Sequence, residues 1–207
     1  MRLNEAKRDL YRRLAREQGY KSRAAFKLIE ANERYGFLSR GGRVLDLGAA
    51  PGGWLQVASE LVGPDGLVVG VDTSPIRLKE KNVVSIKMDV NDSTLVPKVR
   101  ELLGGRADVM LSDLSPSVSG VWEIDQTRQV DLTLRVLDLT SLLLKETGSV
   151  FCKLFEGLRA QEVRDEFRKR FRLVRVIKPA ASRSASSELY YYCEGMRNPT
   201  GVPDTSA

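Results

Sequence analysis

Three aspartates stand at or just past the ends of apolar runs that read as buried strands. Asp72 closes Gly66 to Val71, Asp89 follows Val83 to Met88, and Asp113 closes Ala107 to Ser112. A further run, Gly148 to Cys152, ends on Lys153. In an open α/β sheet, ligands bind beyond the carboxyl ends of the strands, so these side chains are expected to converge on one pocket. Asp72 lies about 20 positions beyond a glycine-rich turn, where a carboxylate accepts hydrogen bonds from ribose hydroxyls. Asp89 suits an adenine amino group, and Asp113 can balance a cation. Several carboxylates without a phosphate-cradling lysine fit S-adenosylmethionine better than NAD or ATP. The chain has no histidine and two cysteines, which excludes a zinc site or a histidine-based triad. No metal is expected. Catalysis must run on lysine, carboxylates, tyrosine or backbone groups.

The turn that would build this pocket is Gly48-Ala-Ala-Pro-Gly-Gly53, between the short apolar run Val44 to Leu47 and a helical segment from Trp54 to Leu61. Strand, glycine turn and helix are the opening unit of a doubly wound domain. The dinucleotide fingerprint is broken, because alanine stands where its second glycine belongs. Pro51 also removes an amide that a pyrophosphate could have used. Further on, Leu95 to Leu103 reads as a helix stopped by Gly104-Gly105, and a long helix runs from about Asp125 to Lys145. Ala160 to Arg170 is another helix, Phe171 to Ile177 a sixth strand and Leu189 to Cys193 a seventh. The segment Lys178 to Ser187 is too short for a crossover helix, so the last two strands are predicted antiparallel. The pattern predicts an α/β, Rossmann-like fold: a seven-stranded, mostly parallel sheet with one antiparallel strand and helices on both faces. Residues 1–194 are expected to form one domain that includes a basic N-terminal helical segment (1–36). A flexible Pro/Gly/Ser-rich tail would cover 195–207.

Charge is unevenly spread. The formal net charge is +6 with a pI near 9.4. Between Met1 and Lys27, nine lysines and arginines face three acidic residues, a surplus equal to that of the whole chain. A helix over Asn4 to Gln18 leads into a second one, for which Ser22 is the expected N-cap and Gly36 the expected stop. Lys21, Arg23 and Lys27 would sit near its start. Such a segment is either a solvated charged face or a phosphate-binding surface for a polyanion. No apolar run is long enough to cross a bilayer, and no signal peptide is expected. Cys152 and Cys193 lie in strand-like apolar surroundings and read as buried thiols, consistent with a cytoplasmic protein.

Taken together, Lys21-Ser-Arg-Ala-Ala-Phe-Lys27, Asp46-Leu-Gly-Ala-Ala-Pro-Gly-Gly-Trp54, Ser112-Asp-Leu-Ser-Pro-Ser117, Lys153-Leu-Phe155 and Lys178 to Tyr190 resemble the FtsJ/RrmJ family. Its members are S-adenosylmethionine-dependent ribose 2′-O-methyltransferases. The resemblance covers about residues 20 to 194 in the family's order, and this combination of motifs is highly specific. It implies a catalytic tetrad of Lys27, Asp113, Lys153 and Glu188, with cofactor contacts at Gly52, Trp54, Asp72, Asp89 and Asp113. It further implies a uridine of large-subunit ribosomal RNA as the substrate, with the RNA free or in the assembled subunit. A monomer is expected, without DNA or membrane partners. A tRNA methyltransferase of the same family is the nearest rival. Readings of other classes are an NAD-dependent dehydrogenase, opposed by the broken glycine fingerprint, and a non-catalytic RNA-binding protein, which would not need Lys153 and Glu188 together.

The implied tetrad makes physical sense. In an in-line displacement the ribose 2′-oxygen attacks a methyl carbon and sulfur leaves neutral, so alignment should supply much of the rate. Lys153 could take the hydroxyl proton, although a lysine's ordinary pKa of about 10.4 keeps it charged near neutrality. Alternatively it stays charged and orients the oxygen. Lys27 and a sulfonium would lower its pKa, whereas Asp113 and Glu188 would raise it. Glu188 would hold one of the lysines. Arg183, in the serine-rich loop, would join the RNA-facing surface.

Overall fold

The computed structural model describes residues 3–197 except 118, 158 and 183–186, with side chains from residue 10 onward. Arg183 and most of the predicted tail therefore lie outside the described residues. Seven strands form one sheet: β1 (Arg43–Leu47), β2 (Leu67–Asp72), β3 (Val83–Lys87), β4 (Ala107–Ser112), β5 (Leu144–Phe155), β6 (Phe171–Ile177) and β7 (Glu188–Met196). Their spatial order is β3-β2-β1-β4-β5-β7-β6. The first five neighbours pair in parallel, while β7 inserts between β5 and β6 antiparallel to both. This is the predicted mostly parallel sheet with one reversed strand.

Alternation along the strands explains why both faces are covered. Successive side chains point to opposite sides, and in β1 Val44, Leu45 and Leu47 are all fully buried. Leu45, Leu47, Val69, Val71, Met110 and Cys152 pack into one apolar cluster with α4 (Leu95–Leu103), α5 (Trp122–Leu143) and α6 (Ala160–Arg170). Val44, Val68, Leu111, Phe151, Tyr190 and Tyr192 pack into the other, with α2 (Ala25–Tyr35) and α3 (Gly53–Val62). Both cysteines are buried and unbridged, and burial pushes both thiols up. No described helix is long and apolar enough to cross a membrane.

Two local expectations need correction. Gly36 does stop α2, in the left-handed region at φ 64°. Ser22 is not its N-cap, however: the helix starts at Ala25 after Ala24, with no side-chain cap. Ser22 instead offers its carbonyl to the Ala25 amide, and its hydroxyl occupies the place a side chain on Gly53 would need. The long helix begins at Trp122 and ends at Leu143. Leu144 is already extended and, fully buried, pairs opposite Ala107 at the start of β5.

The N-terminal helix α1 (Leu3–Glu17) docks through its apolar side. Tyr11 packs on Phe26 at 5.4 Å between ring centroids, and Ala15 is buried. Tyr20 meets Phe26 edge-on and donates to Glu60 at 3.0 Å. Arg12, Arg13, Arg16 and Lys21 are left exposed.

Candidate active site

A cleft of about 630 Å³ opens at the carboxyl ends of the central strands, and its walls include Gly48, Asp72, Asp89, Asp113, Ser115 and Lys153. The three aspartates and the lysine singled out in the sequence thus share one cavity. The glycine turn shapes its floor. Gly48 has φ 78°, and a Cβ there would lie 2.9 Å from the Leu114 amide. Only glycine lets the β4–α5 loop close on the turn. The amides of Gly48 and Ala49 both donate to the Val71 carbonyl, which ties the turn to β2.

Asp72 braces this arrangement. Its two carboxylate oxygens accept from the amides of Ala50 (2.9 Å) and Ser74 (2.7 Å). Asp89 accepts from the Asn91 amide at 2.8 Å. Trp54 is placed otherwise: its indole turns inward, donates to the Ala24 carbonyl at 2.8 Å and packs on Phe151 and Tyr190. Trp54 lines a second, smaller cavity, which shares Gly48 and Asp113 with the cleft and also contains Asp46. Gly52, at the N-terminus of α3 with φ 110°, lies against Leu78 and lines neither.

The four tetrad residues come from four elements. Lys27 lies in the first turn of α2, Asp113 just past β4, Lys153 near the end of β5, and Glu188 at the start of β7. Lys27 is buried and forms an ion pair with Glu188 at 2.5 Å. Lys153, also buried, faces Asp113 Oδ1 at 3.2 Å. It donates to the Asp113 carbonyl at 2.8 Å and to the Ser115 hydroxyl. Three acceptors thus surround its Nζ, which matches the three donors of an ammonium.

Two further residues belong to the site and were not foreseen. Tyr190 lies directly across the β5–β7 ladder from Lys153. Its phenol accepts from Lys27 Nζ at 2.8 Å and donates to Asp113 Oδ1 at 2.8 Å, joining the two ion pairs. Burial, then the charges of Asp113 and Glu188, push the phenol well above its usual range, so it remains a donor. Its sequence signal was slight, one tyrosine among three in a strand. Burial alone would raise Asp113, but the charges of Lys153 and Lys27, with hydrogen bonds from Tyr190 and Lys153, hold it below its ordinary value.

The second is Asp46. It is fully buried near the end of β1, and neither carboxylate oxygen has a hydrogen-bond partner among the described residues. Burial, then the charges of Asp113 and Asp72, hold its carboxyl well above the usual range. Its signal was available: an acidic residue inside the apolar run Val44-Leu45-Asp46-Leu47.

This donor set fits a cationic nucleoside. The main cleft presents Asp72, Asp89 and Asp113, with Lys153 the one basic lining residue among those described, and Asp46 lies beside it with no hydrogen-bond partner among the described residues. A buried carboxyl without a partner is costly unless a cation or donor reaches it. Among the described residues there is no cluster able to hold a metal ion.

Comparison with known proteins agrees with this geometry. A family model described as FtsJ-like methyltransferase matches residues 20–196. A protein of Methanothermobacter thermautotrophicus named Ribosomal RNA large subunit methyltransferase E is 46% identical over 187 residues, covering 90% of this chain and 89% of the relative. A protein of the same name from Cenarchaeum symbiosum is 44% identical over 197 residues, covering 95% and 100%. Among solved structures, a Plasmodium falciparum protein described as a ribosomal RNA methyltransferase superposes with a TM-score of 0.76 at 26% identity, over 86% of this chain and 98% of that one. Fibrillarin of Aeropyrum pernix, solved with natively bound S-adenosyl-L-methionine, shares the fold with a TM-score of 0.59 at 17% identity, over 82% and 75%.

Proposed function

The chain belongs to the FtsJ-like methyltransferase family, and from that premise we propose that it methylates the ribose 2′-oxygen of a uridine in large-subunit ribosomal RNA. Its class is that of an S-adenosylmethionine-dependent ribosomal RNA methyltransferase. The observation that supports the ribose chemistry is the joined chain Lys153–Asp113–Tyr190–Lys27–Glu188, of which Lys153 and Asp113 line the acidic cleft. The reading takes residues 1–194, extended to Met196 at the end of β7, as one catalytic domain working as a cytoplasmic monomer, with the large ribosomal subunit or its free RNA as partner.

Bound in the cleft, S-adenosylmethionine supplies a methyl group carried on a cationic sulfur. Asp72 and Asp89 would hold its nucleoside part, Asp113 and Asp46 would answer its positive charge, and the backbone of the glycine turn, from Gly48 and Ala50 in the cleft wall onward to Gly52 and Trp54, would meet its amino-acid end. During transfer the ribose oxygen gains the methyl group, the carbon–sulfur bond breaks with its electrons going to sulfur, and the hydroxyl proton departs to water. The three acceptors around Lys153 favour the orienting role over that of a base: its ammonium would exchange the Ser115 hydroxyl for the 2′-hydroxyl, steering it and stabilising the negative charge that grows on oxygen. Asp113, kept ionised, fixes that ammonium. Tyr190 and the Lys27–Glu188 pair fix Asp113 in turn. The exposed Arg12, Arg13, Arg16 and Lys21 would hold RNA phosphates, which position the strand without specifying its sequence.

The test is transfer of labelled methyl to large ribosomal subunits, free ribosomal RNA and tRNA, with Lys153→Ala as control. Alkali-resistant label on the large-subunit RNA, mapping to a uridine and lost in the variant, is expected. Label on tRNA alone would replace the substrate, and base-methylated product would overturn the ribose chemistry.

A further inference from the structure

Val121, Trp122 and Ile124, at the start of α5, are 47%, 48% and 44% exposed. A cluster of this kind beside a functional cleft calls for an occupant. Trp122 stacks near-parallel on Phe155, with centroids 6.2 Å apart and an interplanar angle of 20°. Phe155 closes β5 two residues after Lys153, so the two side chains leave the same face of the sheet. Across the ladder, Phe155 opposes Glu188. The ring pair is therefore anchored next to the tetrad through Phe155, the ladder partner of Glu188.

Its position is fixed by the loop that also carries Asp113 and Ser115. Asp125, one turn into α5, accepts from the Ser119 amide and hydroxyl (both 2.7 Å) and from the Gly120 amide (3.3 Å). Arg128 donates to the Ser117 carbonyl at 3.2 Å. The end of the loop is thereby held to the start of the helix, and Trp122 is presented on a rigid mount rather than on a free loop.

We propose that Trp122, backed by Phe155, is a stacking platform for the base of the nucleotide whose ribose is methylated. The inference rests on the ribose-methyltransferase reading. In a ribonucleotide the carbon bearing the 2′-oxygen is bonded directly to the carbon bearing the base. A sugar that brings its 2′-hydroxyl to Lys153 must therefore place its base within a few ångströms of that point. A base turned out of its helix loses its stacking partners and regains one on an aromatic side chain. The basic segment lies against the helix that carries Lys27, where Tyr11 packs on Phe26, whereas Phe155 lies across the ladder from Glu188. The strand would cross the tetrad between the two, and an uncharged aromatic surface suits a base better than a phosphate.

The chain has two tryptophans, and Trp54 is buried, so quenching by RNA reports on Trp122. An oligonucleotide spanning the mapped site, intact or abasic at the methylated nucleotide, is titrated into wild type, Trp122→Ala and Trp122→Tyr, and methyl transfer is measured in parallel. Expected are quenching by intact RNA and little by abasic RNA, a KM for RNA raised about tenfold in Trp122→Ala and restored in Trp122→Tyr, and unchanged cofactor affinity. Equal quenching by both RNAs, or an unchanged KM, would overturn the platform. So would a defect in Trp122→Ala on assembled subunits but not on naked RNA, which would assign the patch to a protein contact. If wild type methylates no ribosomal RNA, the underlying reading fails and the platform falls with it, whereas methylation without base-dependent quenching overturns the platform alone.

Discussion

Tyr190 donates its phenolic proton to Asp113 Oδ1 at 2.8 Å from a strand position directly opposite Lys153. The same phenol receives a hydrogen bond from Lys27, so one neutral side chain couples two ion pairs that would otherwise be independent. Hydrogen bonds to charged groups contribute about 1.5–3 kcal/mol. Tyr190→Phe is therefore expected to lower kcat by about 10- to 100-fold, with cofactor affinity and KM for RNA little changed. Single-turnover methyl transfer at saturating cofactor measures it. A proportional loss in KM instead would make Tyr190 a substrate-binding residue.

The Lys27–Glu188 pair should behave as a buried charge pair. The side chains are 6% and 16% exposed, and removing one member strands the other. Glu188→Ala is expected to cost about 3 kcal/mol, with Tyr190 still accepting from Lys27. The double variant Lys27→Met, Glu188→Leu should recover most of that stability while remaining inactive. Denaturant unfolding of both variants decides this. A double variant as unstable as the single one would show that the pair contributes net stability.

Much of the fold was legible because strand runs, glycine stops and the short β6–β7 link are local signals. Gly36 and Gly104 end their helices in the left-handed region as their placement implied. The convergence of Asp72, Asp89, Asp113 and Lys153 followed from the rule that strand ends share an edge. Lys27 and Glu188 could be placed only by family resemblance, since residues 161 positions apart carry no local mark of their contact. Tyr190 was hidden for a related reason: its role depends on the β5–β7 register, which makes Tyr190 rather than Tyr191 face the tetrad. Trp54 read as a site residue from the motif; its ring packs in the core beneath α2 and lines the smaller cavity beside the cleft, a placement that the sequence did not mark.

Asp46 predicts a pH dependence. Its folded carboxyl lies well above its ordinary value, with burial the leading cause. The folded state thus holds this proton more tightly than the unfolded chain. The associated stability is full below the unfolded pKa of about 4 and is lost as pH rises through the folded value. Asp46→Asn removes that loss, so without cofactor the variant should unfold at a higher temperature than wild type near pH 7, with the gap closing toward pH 4. The same variant should bind S-adenosylmethionine more weakly, because the amide cannot answer a cation. Thermal unfolding from pH 4 to 8 and cofactor titration test the two halves, and a gap constant with pH would remove Asp46 from the account.

RNA affinity should fall steeply with salt. Arg12, Arg13, Arg16 and Lys21 are exposed, and each phosphate contact adds about 0.7 to the slope of log K against log salt for a single strand. Replacing all four with glutamine should reduce that slope by about 3, leaving turnover at saturating RNA near wild type. An unchanged slope would return these residues to the role of a solvated face.

Gly48 and Gly36 separate backbone strain from steric collision. Both have positive φ, 78° and 64°. A Cβ on Gly36 meets nothing within 4 Å, whereas one on Gly48 meets the Leu114 amide at 2.9 Å. Gly36→Ala should cost only the left-handed penalty of about 1–2 kcal/mol and keep full activity. In Gly48→Ala the backbone of the β4–α5 loop must retreat, carrying with it Asp113 and the Ser115 hydroxyl that hold Lys153. Loss of cofactor binding and of methyl transfer, beyond any loss of stability matched by Gly36→Ala, is the expected outcome. Equal activity in the two variants would mean that the loop can move without disturbing the lysine, and that the turn is needed only for folding.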